Sequence, residues 1–308
     1  MKKFWQEFGN TFLAPLSGCS DLSFRLIARE HGAKFCFYEM VDANALLHQQ
    51  DPKRDILKTH PDDKPIAAQL LGSNPDQMLE AAKLLLTMVE PVFLDINAAC
   101  PAKKILKKKC GAYFAKNPTN LFKIIEKLSS NLSLPITVKL RIGFDRYDEK
   151  EFIANVKNCE KAGASALFVH GRTMKQGYSG TVNYEAIKKA KAAVKIPLFG
   201  SGDILNRELM HKMLNETGCD GVLVARGALG NPWFFSGETP DPEEKKNVMR
   251  RHLAYLEKYK KTRPTGKLGQ MKKTAMWYLK EFRNTHELRR QITNCRTIPE
   301  LLALAKII

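Results

Sequence analysis

No stretch of this sequence comes near the eighteen or so consecutive apolar residues that cross a bilayer, so a spanning helix is excluded. Its opening, MKKFWQEFGNTFLAP, has no unbroken apolar run either, because Gln6, Glu7, Gly9 and Asn10 interrupt it, and export by a cleaved leader is not expected. Cys-x-x-Cys pairs are absent, and the seven cysteines are odd in number and irregular in spacing. A disulfide framework and a Cys-rich zinc site therefore lose their basis, no metal is expected, and the thiols fit a reducing, cytoplasmic setting. Low-complexity tracts are missing too. What is present is ordinary for a folded chain: 308 residues, 44% apolar and 27% charged, enough to bury a large core.

Acidic residues are in short supply. Fifty Lys and Arg stand against 32 Asp and Glu, a net charge of +18 that attracts polyanions. The excess is uneven. From residue 241 to 308 there are seventeen basic and seven acidic residues, so more than half of the surplus sits in less than a quarter of the chain.

Short β-branched, apolar runs recur at 11–16, 35–40, 65–71, 92–96, 135–141, 166–170, 196–200 and 221–225, with helical spacing between them, as in Leu121, Ile124, Ile125 and Leu128. Eight such units within about 220 residues, their strands nearly continuous in apolar character, predict a closed parallel (β/α)8 barrel of the TIM type. An open doubly wound sheet would want a Gly-x-Gly-x-x-Gly turn after its first strand, and here that strand runs into Ala14-Pro15-Leu16-Ser17-Gly18. A turn-rich break at 238–242 ends the alternation. Beyond it, 248–260, 272–282 and 299–308 have helical spacing, giving a barrel over 1–237 and a small, basic, all-helical domain over 238–308.

In such a barrel the chemistry belongs at the C-terminal ends of the strands. There the sequence places Pro15 to Ser17, Gln69, Asn97 with Cys100, Lys139 and Arg141, and His170 with Arg172. Glycine-containing turns, Gly200-Ser201-Gly202-Asp203 and Ala225-Arg226-Gly227, end the last two strands, where backbone N–H groups commonly bind a phosphate. A phosphate-bearing cofactor is implied.

These blocks, in this order, resemble the tRNA-dihydrouridine synthases: Leu13-Ala14-Pro15-Leu16, Gln69-Leu70-Leu71-Gly72, Asp95-Ile96-Asn97-Ala98-Ala99-Cys100-Pro101, Val138-Lys139-Leu140-Arg141, His170-Gly171-Arg172-Thr173 and Gly221 through Ala228. The chain departs from the family in Ala99, where glycine is usual, and in Ser201, where asparagine is usual. The resemblance implies FMN over the barrel mouth, re-reduced by NADPH or NADH, and a tRNA uridine flipped out of the RNA onto the flavin. It assigns the cofactor to Pro15, Leu16, Ser17, Gln69, Asn97, Lys139, His170, Ser201, Gly202, Asp203, Ala225 and Arg226. Reducing the C5=C6 bond needs a hydride at C6, which no side chain supplies, and a proton at C5. Cys100 is the expected acid, since a thiol stays protonated at neutral pH unless its surroundings lower its pKa. Lys139, a charge within an apolar strand, gains a reason in the flavin edge that becomes anionic on reduction.

The RNA is expected on Asn97, Arg141 and Arg172 at the mouth, on Lys103, Lys104 and Lys107 in the stretch after Cys100, and on Lys272, Lys273 and Arg283 in the tail. A monomer is the default. Two rivals stay open on sequence alone: an FMN-dependent oxidoreductase of a small molecule such as dihydroorotate, and a decayed barrel kept as an RNA-binding module.

Overall fold

A computed structural model of the chain describes residues 5–48, 53–282 and 284–307. Its strands are β1 (Thr11–Leu13), β2 (Cys36–Asp42), β3 (Ile66–Leu71), β4 (Leu94–Ala98), β5 (Ile136–Arg141), β6 (Ala166–His170), β7 (Leu198–Ser201) and β8 (Gly221–Val224). All are parallel, in the order β1-β8-β7-β6-β5-β4-β3-β2. Between β1 and β2 the ring closes through one parallel bridge, Phe12 to Phe35, and the Leu13 N–H on the Phe35 carbonyl at 2.9 Å. This is the expected TIM barrel, its strand ends within three residues of the sequence-based ones.

Around it run α1 (Leu22–Glu30), α2 (Ala43–His48), α3 (Lys53–Ile56), α4 (Pro75–Met88), α5 (Lys103–Leu106), α6 (Pro118–Asn131), α7 (Glu149–Lys161), α8 (Tyr184–Ala193) and α9 (Arg207–Thr217). Short polar residues start several of them, satisfying N–H groups that a first turn leaves open. Asp21 caps α1 through the Phe24 N–H at 3.1 Å, and Asp148, Asn183 and Asn206 do the same for α7, α8 and α9.

Alternation along the strands sends leucine, isoleucine and valine outward to the helices and phenylalanine inward. Phe12, Phe35, Phe37, Phe93, Phe168 and Phe199 fill the barrel with rings at close spacing, 4.6 Å for Phe12–Phe35, 5.2 Å for Phe35–Phe93 and 5.0 Å for Phe168–Phe199. Trp5 and Phe8 join this cluster from the single turn Gln6–Phe8. Two positions further along the same inward faces the residues become polar: Gln69, Asp95, Asn97, Thr137, Lys139. A dry floor thus carries a polar mouth.

Among the described residues four α-helices follow, α10 (Pro242–Tyr259), α11 (Pro264–Tyr278), α12 (His286–Asn294) and α13 (Ile298–Ile307), where three were expected. The missed one, α12, buries Ile292 alone, too little apolar spacing to read. The tail helices share a second apolar cluster that takes in Ile27 and Trp233 from the barrel part. Polar contacts tie α10 to α1: Tyr255 donates to Glu30 at 2.7 Å, Arg251 pairs with Glu30 at 2.9 Å, and Lys260 lies 3.4 Å from Asp21 and 3.1 Å from Asp55. Among the described residues no helix is long and apolar enough to cross a membrane.

If the phenylalanine layer is a packed floor, Phe168→Ala leaves a cavity within it and costs about 3–5 kcal/mol of stability, read as a lower urea midpoint at unchanged slope. A loss below about 1 kcal/mol would contradict tight packing there.

Candidate active site at the barrel mouth

Strand register brings the sequence-predicted residues to one end of the barrel. Asn97 lies beside Lys139 on β4 and β5, and Arg141, His170 and Ser201 lie side by side across β5, β6 and β7. After β4 the chain turns at Ala99 and Cys100, and Asn97 makes that turn: its Oδ1 accepts the Ala99 N–H at 3.1 Å and the Cys100 N–H at 3.0 Å. Asn97 Nδ2 is committed to Gln69 Oε1 at 2.8 Å, with Met40 Sδ at 3.4 Å. Cys100 is half-buried at the mouth.

Two nitrogens there have no partner among the described residues. The Lys139 ammonium makes no hydrogen bond or ion pair among the described residues, and burial, with Arg141 nearby, lowers its pKa to about 8. The His170 ring is 6% exposed and its Nε2 is unbonded. Burial, reinforced by Lys139, Arg141 and Arg172, lowers its pKa to about 2, so the imidazole is neutral. A buried polar atom left unpaired costs free energy, and a ligand that meets it recovers that cost.

The ring of His170 rests on Gly202, whose φ is +118° and whose place a Cβ would contest at 2.9 Å from the imidazole. The next residue, Asp203, has φ +48° and holds two arginines. Arg172 grips it with both terminal nitrogens, Nη1 at 2.9 Å, and Arg226 donates Nη2 at 2.5 Å. The Arg172 bonds hold the Asp203 carboxyl below the usual range. Arg226 also lies over the Tyr178 ring at 4.5 Å, joining the β8 turn to the loop after β6. The Leu16-to-Ser20 turn completes the rim, with the Leu16 N–H on Ser20 Oγ at 2.9 Å. Pro15 and Leu16 are half-buried there, Ser17 is exposed and Ala225 is half-buried across the mouth.

Several expected RNA contacts are placed otherwise. Arg172 is fully buried and spends its guanidinium on Asp203 and on the Ser179 and Gly180 carbonyls, so it holds a loop and offers nothing to a nucleic acid. Arg141 gives Nε to the Ala99 carbonyl at 2.9 Å and Nη1 to Thr173 and Gly177, which leaves Nη2 free of protein partners among the described residues. Lys272 donates to the Thr293 carbonyl at 2.7 Å, and Lys273 reaches the Gly18 carbonyl at 2.5 Å, bracing the tail against the first barrel loop. Each of these ammonium groups gives one of its three donors to a backbone carbonyl within the protein. Arg283 lies outside the described residues. Lys103, Lys104 and Lys107 are exposed on and after α5 and, like Lys109, have no partner among the described residues, whereas Lys108 pairs with Asp42 at 2.5 Å.

Sequence reasoning overlooked Glu39, which is buried and accepts the Gly18 N–H, and Asp95 and Thr137, which are inaccessible to solvent. The last two stand two residues before Asn97 and Lys139, so the strand period itself points them inward.

The dihydrouridine synthase family model matches residues 12–307. The chain belongs to that family. Relatives of the family include the Aquifex aeolicus protein named "Probable tRNA-dihydrouridine synthase", 31% identical over 96% of this chain and 94% of its own. The tRNA-dihydrouridine synthase B of Pasteurella multocida is 31% identical over 97% and 93%, and that of Pseudomonas aeruginosa 33% over 91% and 86%. A mandelate oxidase structure is more distant, at 14% identity and a TM-score of 0.49 over 74% of this chain and 66% of that one.

Because His170 is neutral in the fold and ordinary when unfolded, the unfolded chain binds more protons between about pH 6.5 and 2, and stability falls as pH drops through that window. His252, buried and lowered to about 3, adds to the slope. Replacing His170→Gln removes up to about 1.4 kcal/mol per pH unit of it, seen in urea midpoints at pH 6, 5 and 4. An unchanged slope would contradict a buried neutral imidazole.

Proposed function

We propose that the barrel mouth binds FMN and that Cys100 is the acid of the family's reaction. As a dihydrouridine synthase the chain is a flavin-dependent oxidoreductase that reduces uridine in tRNA to dihydrouridine. The observation that carries the finer reading is the pair of unpartnered nitrogens, Lys139 Nζ and His170 Nε2, flanking the turn that presents Cys100. A flavin, with donor and acceptor atoms along one ring edge and a phosphate at its other end, suits that pair. Lys139 and His170 would meet the ring, with Gln69 and Asn97 beneath. The turns Ser201 to Asp203 and Ala225 to Arg226 would take the phosphate, and Pro15 to Ser17 would border the ring.

Bound there, the flavin supplies the hydride that no side chain can give. The protein's part is to place and to protonate. Lys139 sets a positive charge where negative charge develops on reduction. Cys100, held by Asn97, gives its thiol proton to C5 of the uracil. The free Nη2 edge of Arg141 suits a uracil carbonyl, and Asn97 borders the same space. NADPH, or NADH, is the proposed electron source. Lys103, Lys104 and Lys107 would steer RNA phosphates, with the helical unit over 238–308 holding the body of the tRNA. We take the protein to work as a cytoplasmic monomer.

The test is anaerobic incubation of the flavin-loaded protein and NADPH with tRNA from a strain lacking dihydrouridine, followed by mapping of the product. Dihydrouridine is expected at one or two positions, and Cys100→Ala should keep its flavin yet form product about 10²–10⁴-fold more slowly. An unimpaired Cys100→Ala would remove Cys100 as the acid, and reduced flavin with unchanged tRNA would favour a small-molecule substrate. Replacing Lys103, Lys104 and Lys107 by alanine should flatten the log–log salt dependence of tRNA affinity by about 0.7–0.9 per lost phosphate contact. An unchanged slope would mean that these lysines face solvent alone.

A further inference from the structure

Beneath the mouth, four side chains and two backbone N–H groups form one hydrogen-bonded chain. Thr137 Oγ1 donates to Asp95 Oδ1 at 2.6 Å, and Gln69 Nε2 donates to Asp95 Oδ2 at 2.7 Å. Asn97 Nδ2 then donates to Gln69 Oε1, and Asn97 Oδ1 receives the Ala99 and Cys100 N–H groups. Each amide in it has two unlike ends, so the chain has a direction. In its ionised form the Asp95 carboxyl accepts through both oxygens, which obliges Gln69 to turn its NH2 toward it. Backbone N–H groups at the far end oblige Asn97 to turn its oxygen toward Cys100. Both ends therefore demand the same polarity, and the two amides between them satisfy both.

We propose that Asp95 is a positioning residue for the proton transfer: its carboxylate sets the direction of a hydrogen-bond chain whose other end holds the Cys100 turn. Burial pushes the Asp95 carboxyl up to about 7, against the Thr137 and Gln69 donors and the Lys139 charge. The two donors and the lysine charge favour the ionised form, in which both oxygens accept. Replacing it by asparagine puts an NH2 where an acceptor stood. Thr137 has no other acceptor for its hydroxyl proton among the described residues, so it keeps the asparagine oxygen, the asparagine NH2 faces Gln69, and Gln69 must present Oε1. The reversal then turns Asn97 so that its own NH2 meets the N–H groups of Ala99 and Cys100, donor against donor, and the turn loses its anchor. Exchanging the pair, Asp95→Asn with Gln69→Glu, restores the original direction from position 69 onward: asparagine donates to glutamate, and glutamate accepts from Asn97. Charge is conserved.

The proposal rests on Cys100 as the proton donor, so its readout is kept apart from catalysis. Iodoacetamide alkylation of Cys100, followed by mass spectrometry of its peptide in the purified protein, reports the turn alone, whereas Cys100→Ala reports the donor. Asp95→Asn should change that alkylation rate by about fivefold or more and lower kcat by about tenfold, with KM for tRNA within about threefold. The double exchange should bring the alkylation rate back to within about twofold of the parent, the coupling expected of residues in one network. A folded Asp95→Asn with parental alkylation and kcat, or a double exchange as disturbed as the single, would overturn the proposal. If Asp95→Asn does not fold, a folded double exchange with the parental rate supports it, and failure of both to fold overturns it.

Discussion

A carboxylate with no water around it must take its hydrogen bonds from the protein, and the mouth of this barrel is arranged about that requirement. Asp95 lies on the inward face of β4, inaccessible to solvent, above a floor of phenylalanine rings that can offer it nothing. Its donors come from the two neighbouring strands, Gln69 on β3 and Thr137 on β5. From Gln69 the bonding continues to Asn97 and to the Cys100 turn. The residues of the site are thereby held by the fold before any ligand arrives, which is the preorganisation that charge-stabilising sites depend on.

On the other side of the mouth a second anion plays the corresponding part. Asp203, in a left-handed backbone conformation after Gly202, gathers Arg172 from β6's loop and Arg226 from β8's turn. The first arginine is buried and tethers the loop through Ser179 and Gly180; the second is exposed, beside the turn proposed to take the phosphate. Between these two carboxylates lie the groups left without partners, Lys139 and His170. Bonded groups fix the shape, and unbonded ones mark where a ligand is owed contacts.

Much of this was legible in the sequence. Eight apolar runs separated by helical spacing give a parallel barrel because strands covered on both faces need no polar alternation, and all eight are found. The ends of the tail helices were harder. Glu238-Thr239-Pro240-Asp241-Pro242 reads as a turn-rich break, yet Asp241 caps α10 and Pro242 opens it, and α11 starts at Pro264 and runs through Gly266 and Gly269, which discourage a helical reading. The positions of Gln69, Asn97, Cys100, Lys139 and His170 at one mouth followed from strand order. What lay out of reach was how each charge is spent. Arg172, Lys272 and Lys273 look from the sequence like free cations, and their partners are carbonyls and a carboxylate, some far along the chain, that no local pattern announces.

The central claim is that the mouth is a ready-made seat for a flavin carrying a phosphate. Titration of the flavin-free protein with FMN and with riboflavin, followed by quenching of flavin fluorescence, addresses it directly. FMN should bind at least about 10²-fold more tightly than riboflavin, the equivalent of one or two charge-assisted hydrogen bonds to phosphate. Equal affinities, or no binding of either, would contradict the claim.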